Sequence, residues 1–274
     1  LESGQELLAG ITPQTLREQI GLSQWFRFYK PAGEGLPETE RGYSCLSVFE
    51  ASQGAVELKN SPDLISGSDT GLLVQIRGRV IFGDKPNIYY YDSEARYWMN
   101  WDQTHEIWAI VGTQRQGEAE ASESETGVRS AATPGAAPRI SVTKTDLSTR
   151  TSQPFEWDVP EVYLSQTLGW LLPRLLPRTV TTPREFGYYF YNLTNSRPQI
   201  SLRSDLWEPV GQDGSFRLTT KLTSDSPAVV SVYAKDGTLI RRVHGDGSIT
   251  EPTTLDDLRK LWKSKGLSVS KTGQ

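Results

Sequence analysis

Apolar and polar positions alternate along much of this chain. Leu72, Val74, Ile76, Val80 and Phe82 alternate with Gln75, Arg77 and Arg79, a period of two that puts one side of a strand in a core and the other in water. Gly78 breaks the inward row and marks a bend or bulge. The runs Ile88–Asn100 and His105–Gln114 are rich in Tyr, Trp, Ile and Val, with Trp101–Thr104 as the turn between them, so the three segments predict an antiparallel meander. Alternation returns at Arg139–Lys144, and Phe186–Asn192, Ile200–Leu206, Phe216–Leu222 and Val229–Tyr233 have strand composition. Asp213-Gly214 and Asp236-Gly237 are hairpin turns. Consecutive long strands without crossover helices predict a mainly β fold, a strongly curved antiparallel sheet or half-barrel with a few packed helices.

Three segments carry helical spacing instead. Thr12-Pro13 is a cap followed by proline at the first helical position, and Leu16 and Ile20 share one face of Gln14–Ile20. Val162, Leu164, Leu168, Leu171, Leu172, Leu175 and Leu176 form an apolar stripe over Glu161–Leu176. Pro173 predicts a kink near its end and a second short turn closing at Pro177. Thr254 caps a helix whose Leu255, Leu258, Leu261 and Trp262 form one face, expected to dock on the final hairpin.

The composition divides the chain. Residues 1–116 read as the first half of one sheet domain and 139–262 as its second half with docking helices. Between them, residues 117–138 hold Glu118, Glu120, Glu123 and Glu125 among Ala and Ser, then Ala131–Pro138 with nothing large to bury, which predicts a flexible acidic insertion or linker. Residues 263–274 are polar and predict a flexible tail.

Composition narrows the function without fixing it. Hydrophobic residues make up 36% of the chain and eight are tryptophans, enough material for a core. A formal charge of -4 gives no general attraction for a polyanion, so no nucleic-acid partner is expected. Cys45 is the sole cysteine, which excludes an internal disulfide and a cysteine-rich zinc site. No apolar run is long enough to span a bilayer as a helix. The start at Leu1 suggests an upstream piece removed, whether a signal peptide, a lipoprotein anchor or a longer domain.

The chemistry-bearing residues form no motif. His105 and His244 are the only histidines and lack metal-ligand spacing, and Ser44, Ser165 and Ser231 occupy no nucleophile elbow. The carboxylate pairs Asp92 with Glu94 and Asp102 with Glu106 could serve acid–base chemistry on a glycan, yet turns and wet sheet faces carry the same residues. No cofactor and no metal site is expected. Asn192-Leu193-Thr194 is a short glycosylation sequon without further support.

Trp170-Leu171-Leu172-Pro173, followed by strands and then Val232–Leu239 with its continuation to Val243, resembles bacterial periplasmic proteins of the lipoprotein-localisation, LolA-like half-barrel type. The resemblance implies a strongly bent antiparallel sheet with helices near its concave side, sometimes enclosing an apolar ligand. It also implies a periplasmic or other extracytoplasmic setting, reached through an amino-terminal signal or lipoprotein anchor outside this chain.

Tyr and Trp join a large apolar face to a polar tip, so the cluster around Tyr89–Tyr91, Tyr97, Trp98, Trp101 and Trp108 serves either packing or ligand contact. The expected lining of a cleft between sheet and helix is Tyr89, Tyr91, Trp98, Trp108, Leu168 and Leu172. The function these features favour is noncatalytic: a cell-envelope binding or structural interaction domain that holds a small amphiphile or meets an envelope protein. The alternative is a hydrolase acting on a glycan or envelope polymer. Oligomeric state is left open.

Overall fold

The period-two segments pair in chain order. In the computed structural model, which describes residues 1–58, 67–83, 87–176, 181–194 and 197–270, two helices, α1 (Glu2–Ala9) and α2 (Pro13–Arg17), precede the sheet. Strands β1 (Ser23–Lys30), β2 (Thr39–Ser52), β3 (Thr70–Phe82), β4 (Tyr89–Asn100), β5 (Glu106–Gln116), β6 (Ala119–Arg129), β7 (Arg139–Asp146) and β8 (Thr151–Asp158) then run as a continuous antiparallel meander. A second meander follows: β9 (Tyr163–Leu164), β10 (Arg184–Thr194), β11 (Arg197–Pro209), β12 (Phe216–Lys221), β13 (Val229–Tyr233), β14 (Leu239–Val243) and β15 (Ile249–Thr253). Helix α3 (Gln166–Leu175) lies between β9 and β10, and α4 (Leu255–Ser264) follows β15.

Antiparallel pairing of β1 with β15 joins the two meanders into one fifteen-stranded sheet, so the first and last strands lie at its middle. Among the described residues the only parallel pair is β9 with β10 at one edge. The sheet curls without closing. Its far wings nonetheless approach: Trp157 of β8 lies 5.9 Å and Trp108 of β5 5.3 Å, between ring centroids, from Tyr191 of β10.

Register assigns each residue a face. Leu72, Val74 and Ile76 of β3 stand beside Met99, Tyr97 and Ala95 of β4 on the concave side, where the main core also takes in Leu168, Leu171 and Leu172 of α3. Burial of these side chains removes apolar area from water at roughly 25 cal/mol per Å² and holds α3 inside the curl. The convex side carries two smaller cores. One gathers Val56, Leu58, Leu73, Trp98 and Ile107 beneath a 3-10 turn at Gln53–Val56, with the Trp98 indole donating to the Ala51 carbonyl at 3.1 Å.

The other convex core belongs to α4. The Thr254 side chain accepts the Asp257 N–H and starts the helix. Trp262 and Leu258 are fully buried over Tyr43 of β2, with Trp262 5.0 Å from the Tyr43 ring, edge on. The Trp262 indole donates to Glu40, a buried carboxylate that also receives Arg27 and, at 2.6 Å, Lys265. Burial works against ionisation of Glu40, but the hydrogen bonds from these two cations hold its pKa below the ordinary value. The helix therefore docks on β2 rather than on the final hairpin, because the convex face of β2 offers both an aromatic seat and a buried charge. Residues 263–270 are likewise fastened: the Ser270 N–H reaches the Tyr43 hydroxyl at 2.8 Å and Arg79 donates to the Ser268 carbonyl at 2.7 Å. The flexible tail expected from residue 263 is corrected to this extent, and residues 271–274 lie outside the described residues.

Other expectations change as well. Residues 117–138 are not a flexible insertion: 119–129 form β6, paired along its length with β5 and over Glu123–Arg129 with β7. Small and acidic side chains suffice there because the neighbouring strands supply the backbone partners and the large side chains, and Thr133 to Ala136 close the hairpin that follows. The helix expected from Glu161 begins only at Gln166. Tyr163 and Leu164 pair with Tyr189 and Phe190, after which Ser165 caps α3 by accepting the Leu168 N–H. The Gln166 N–H is met by the Glu106 carboxylate at 2.9 Å. Pro173 is accommodated within α3, which continues to Leu175, and Pro177 lies outside the described residues. In the amino-terminal helix Leu16 is buried, whereas Ile20 lies beyond α2 and is exposed.

Candidate functional site

Helix α3 uses one flank for the core and leaves the other facing open space. Leu168, Leu171 and Leu172 are sealed, while Gly169, Trp170 and Pro173 line cavities, and Trp170 is 41% exposed. Two cavities meet at this flank, of about 280 and about 420 Å³. Trp170, Pro173, Tyr233, Arg242 and His244 line both, so they form two lobes of one concave cleft.

The smaller lobe is built mainly by the central strands. Phe26 and Phe28 of β1, Leu46 of β2, Ile76 and Val80 of β3 and Leu239 of β14 give it an apolar wall. Alternation explains the set, since Phe26 and Phe28 pair with Ser44 and Gly42, and Leu46 with Ile76, on the concave face. The cationic side chains that border it from the concave face are Arg174 and Arg242, with no acidic residue among the described lining; Arg79 borders it only from β3, its guanidinium lying on the convex face with Asp92 and Ser268. Arg174 donates to Gln19 at 2.9 Å.

Arg242 faces the cleft because of a bulge. Between β13 and β14, Tyr233 pairs with Leu239 but Val232 with Arg241, leaving Ile240 as the extra residue. The phase of β14 shifts there: Leu239 is buried, Ile240 and Arg241 are exposed, and Arg242 and His244 turn inward. Arg242 donates through Nε to the Ser231 hydroxyl and through Nη2 to the Tyr233 hydroxyl, each at 3.0 Å. His244 meets Thr250 through Nε2 at 2.8 Å, and burial, assisted by Arg242, lowers its pKa and favours the neutral imidazole.

The larger lobe reaches from Trp170 across Phe190, Leu193, Leu218 and Val229 to Glu125 of β6. Glu125 accepts the Trp108 indole N–H at 2.9 Å, while its second oxygen and the Tyr191 hydroxyl are buried without a hydrogen bond of good geometry. Burial pushes the Glu125 pKa up, which favours the uncharged carboxyl. The other acid bordering this region, Asp205, is fully buried and bound to Arg203 and Thr220.

Beyond Tyr91 the concave side becomes a polar cleft of about 1140 Å³ lined by Glu123, Lys144, Asp146, Gln153 and Gln199 among others. Glu123 and Asp146 face each other across β6 and β7. Acid–base hydrolysis between two carboxyls needs one of them kept protonated. Asp146 is instead held low by hydrogen bonds from Ser148 and Thr149, while the carboxyls that burial pushes up are placed elsewhere, Glu106 at the start of α3 and Glu125 against Trp108 in the neighbouring lobe. Among the described residues no group of three or more His, Cys, Asp or Glu side chains could hold a metal ion.

The six residues expected to line a cleft separate into distinct places. Trp98 lies on the convex face in the small core under the 3-10 turn. Trp108, Leu168 and Leu172 are on the concave side but sealed in the main core. Tyr91 borders the polar cleft and donates to Glu123 at 3.0 Å, and Tyr89 stacks on Phe82 at 5.1 Å. Of the side chains that do line the apolar lobes, Ile76 and Tyr233 fell in expected strands and Trp170 in the expected helical segment; their convergence with Phe26, Leu46 and Arg242 depends on the pairing of β1 with β15 and on the bulge at Ile240. Asn192 of the sequon is buried, its amide donating to Ser201 at 2.5 Å.

No family model, curated protein or solved structure matches this chain. The class that the fold itself defines is a mainly β protein with one strongly curved, open, largely antiparallel sheet and a helix inside the curl. Among the described residues no helix is long and apolar enough to cross a membrane.

Proposed function

We propose that this protein is a noncatalytic binder of a small amphiphile, taken up in the two-lobed concave cleft beside α3. The observation that carries the reading is the apolar lobe of about 280 Å³ between β1, β2, β3 and α3, into which Trp170 projects a large, partly exposed ring. Preformed apolar concavities with a few polar groups are the usual form of a small-molecule site. A cell-envelope setting is part of this proposal and rests on the resemblance carried by Trp170–Pro173 and the hairpin around Asp236-Gly237.

The test uses the fluorescent apolar probe N-phenyl-1-naphthylamine with the whole chain. Wild type should bind it saturably, with enhanced emission and quenching of tryptophan fluorescence. Ile76→Trp, which fills the lobe from a half-buried position, should abolish the enhancement while the protein still unfolds cooperatively. Absence of saturable binding to wild type, or unchanged binding to the filled variant, overturns the proposal.

A further inference from the structure

We infer that the amphiphile carries an anionic oxygen head group, a carboxylate or a phosphate monoester, held by Arg242 and Tyr233 where the two lobes meet; this rests on the cleft being a binding site. The argument starts from the guanidinium. Arg242 is half-buried and its bonds go to two neutral hydroxyls, Ser231 and Tyr233. No described carboxylate lies within 4.0 Å of it. Its neighbour Arg241, on the outer face, has Glu251 at 3.9 Å.

A cation removed from bulk water without a counter-charge is costly unless an anion arrives. The acid that lines the larger lobe, Glu125, is pushed towards its neutral form by burial, and the buried Asp205 is bound to Arg203. With Nε and one Nη2 hydrogen engaged, the Nη1 hydrogens and the other Nη2 hydrogen form an open fork suited to two oxygens of one anion. The Tyr233 hydroxyl accepts from Arg242, so its own hydrogen is available to the same anion. Placement supports this use: the bulge at Ile240 turns Arg242 inward, and Arg242 lines both lobes, so a head group there leaves hydrocarbon either apolar wall.

Four ligands with one tail and different heads test the inference: dodecanoate, dodecyl phosphate, dodecanol and dodecyltrimethylammonium. Each competes with N-phenyl-1-naphthylamine below its micellar concentration. At least one anion should bind wild type tighter than dodecanol by about tenfold or more, as expected for charge-assisted hydrogen bonds. Which anion is preferred identifies the head. Arg242→Gln should erase that advantage and leave dodecanol unchanged. Tyr233→Phe, which keeps the ring on Phe216, should weaken the anions about fivefold. Equal binding of dodecanol and both anions to wild type overturns the head-group inference and leaves the apolar cleft standing. Failure of wild type to bind the probe or any of the four overturns both. The head-group series on wild type decides the matter even if a variant does not fold.

Discussion

Adding one methyl group at Gly127 tests the placement of β6 and the core beneath it. Gly127 pairs with Trp108 across β5 and β6, and a Cβ there would sit 2.0 Å from Cε2 and Cζ2 of the indole. Trp108 is fully buried, ringed by the core and tied through its N–H to Glu125. Moving the ring overpacks a filled region, at about 1–3 kcal/mol. Pulling the indole away from Glu125 leaves another buried oxygen unpaired, at about 1–3 kcal/mol. Relief of glycine's conformational freedom returns only about 0.5–1 kcal/mol. Gly127→Ala is therefore expected to destabilise the protein by about 3 kcal/mol, or about 6–12 °C in Tm at the 2–4 °C per kcal/mol of domains somewhat smaller than this one. Gly112→Ala is the control: its Cβ meets the Tyr91 hydroxyl end at 1.8 Å, but Tyr91 borders the open polar cleft and can swing aside, so the cost should stay below about 1 kcal/mol. Urea unfolding followed by tryptophan fluorescence and circular dichroism measures both. In a flexible insertion Gly127→Ala would be neutral or stabilising by about 0.4–1 kcal/mol, and that result would refute the placement of β6.

Three further outcomes follow from the geometry. Glu125→Gln should stabilise the protein at neutral pH: because the folded pKa is raised, wild type loses stability as pH climbs from the unfolded towards the folded pKa. The Tm gain should shrink to nothing below about pH 4, where the unfolded-state carboxyl is also protonated, and a gain independent of pH would contradict the burial argument. Shortening the hairpin between Ser130 and Pro138 should keep a cooperative melt, whereas deleting residues 119–129 removes a strand paired on both sides and should abolish it. Trp262→Ala should cost about 3–5 kcal/mol and expose Glu40, Arg27 and Lys265 to water; a shift in the urea midpoint equivalent to less than about 1 kcal/mol would show that α4 is only loosely seated.

β3 and β7 were legible from alternation, β4, β5, β10, β11, β12 and β13 from strand composition, and the turns at Asp213-Gly214 and Asp236-Gly237 from their Asp-Gly pairs. β6 was hidden because its concave positions are Glu123, Glu125 and Gly127: its place is fixed by what Trp108, Tyr91 and Lys144 bring from neighbouring strands. The seat of α4 was hidden for a related reason. A helix displays its apolar face in sequence, but the matching hollow over Tyr43 exists only once β1, β2 and β3 are side by side. The site followed the same rule. Aromatic richness pointed to β4 and β5, yet those rings largely fill cores, and the open lobe lies where β1 meets β15, a pairing between residues far apart in the chain. Arg242 is the sharpest case, since unbroken alternation from Leu239 would have turned Arg241 and Val243 inward instead.

The seam between β1 and β15 also dictates an order of events at the ribosome. Each wing is a meander of neighbours, so β1 to β8 can pair as they emerge, with short loops to close. Phe26 and Phe28 of β1, however, belong to a wall completed by Leu239 of β14 and Thr250 of β15, the final two strands of the sheet in chain order. Until those residues appear, the nascent chain carries an open hydrogen-bonding edge on β1 beside uncovered aromatic rings, the combination that invites association with other chains. The cleft wall is thus completed only by the final two strands of the sheet, and until they pair its future lining is a surface in need of protection.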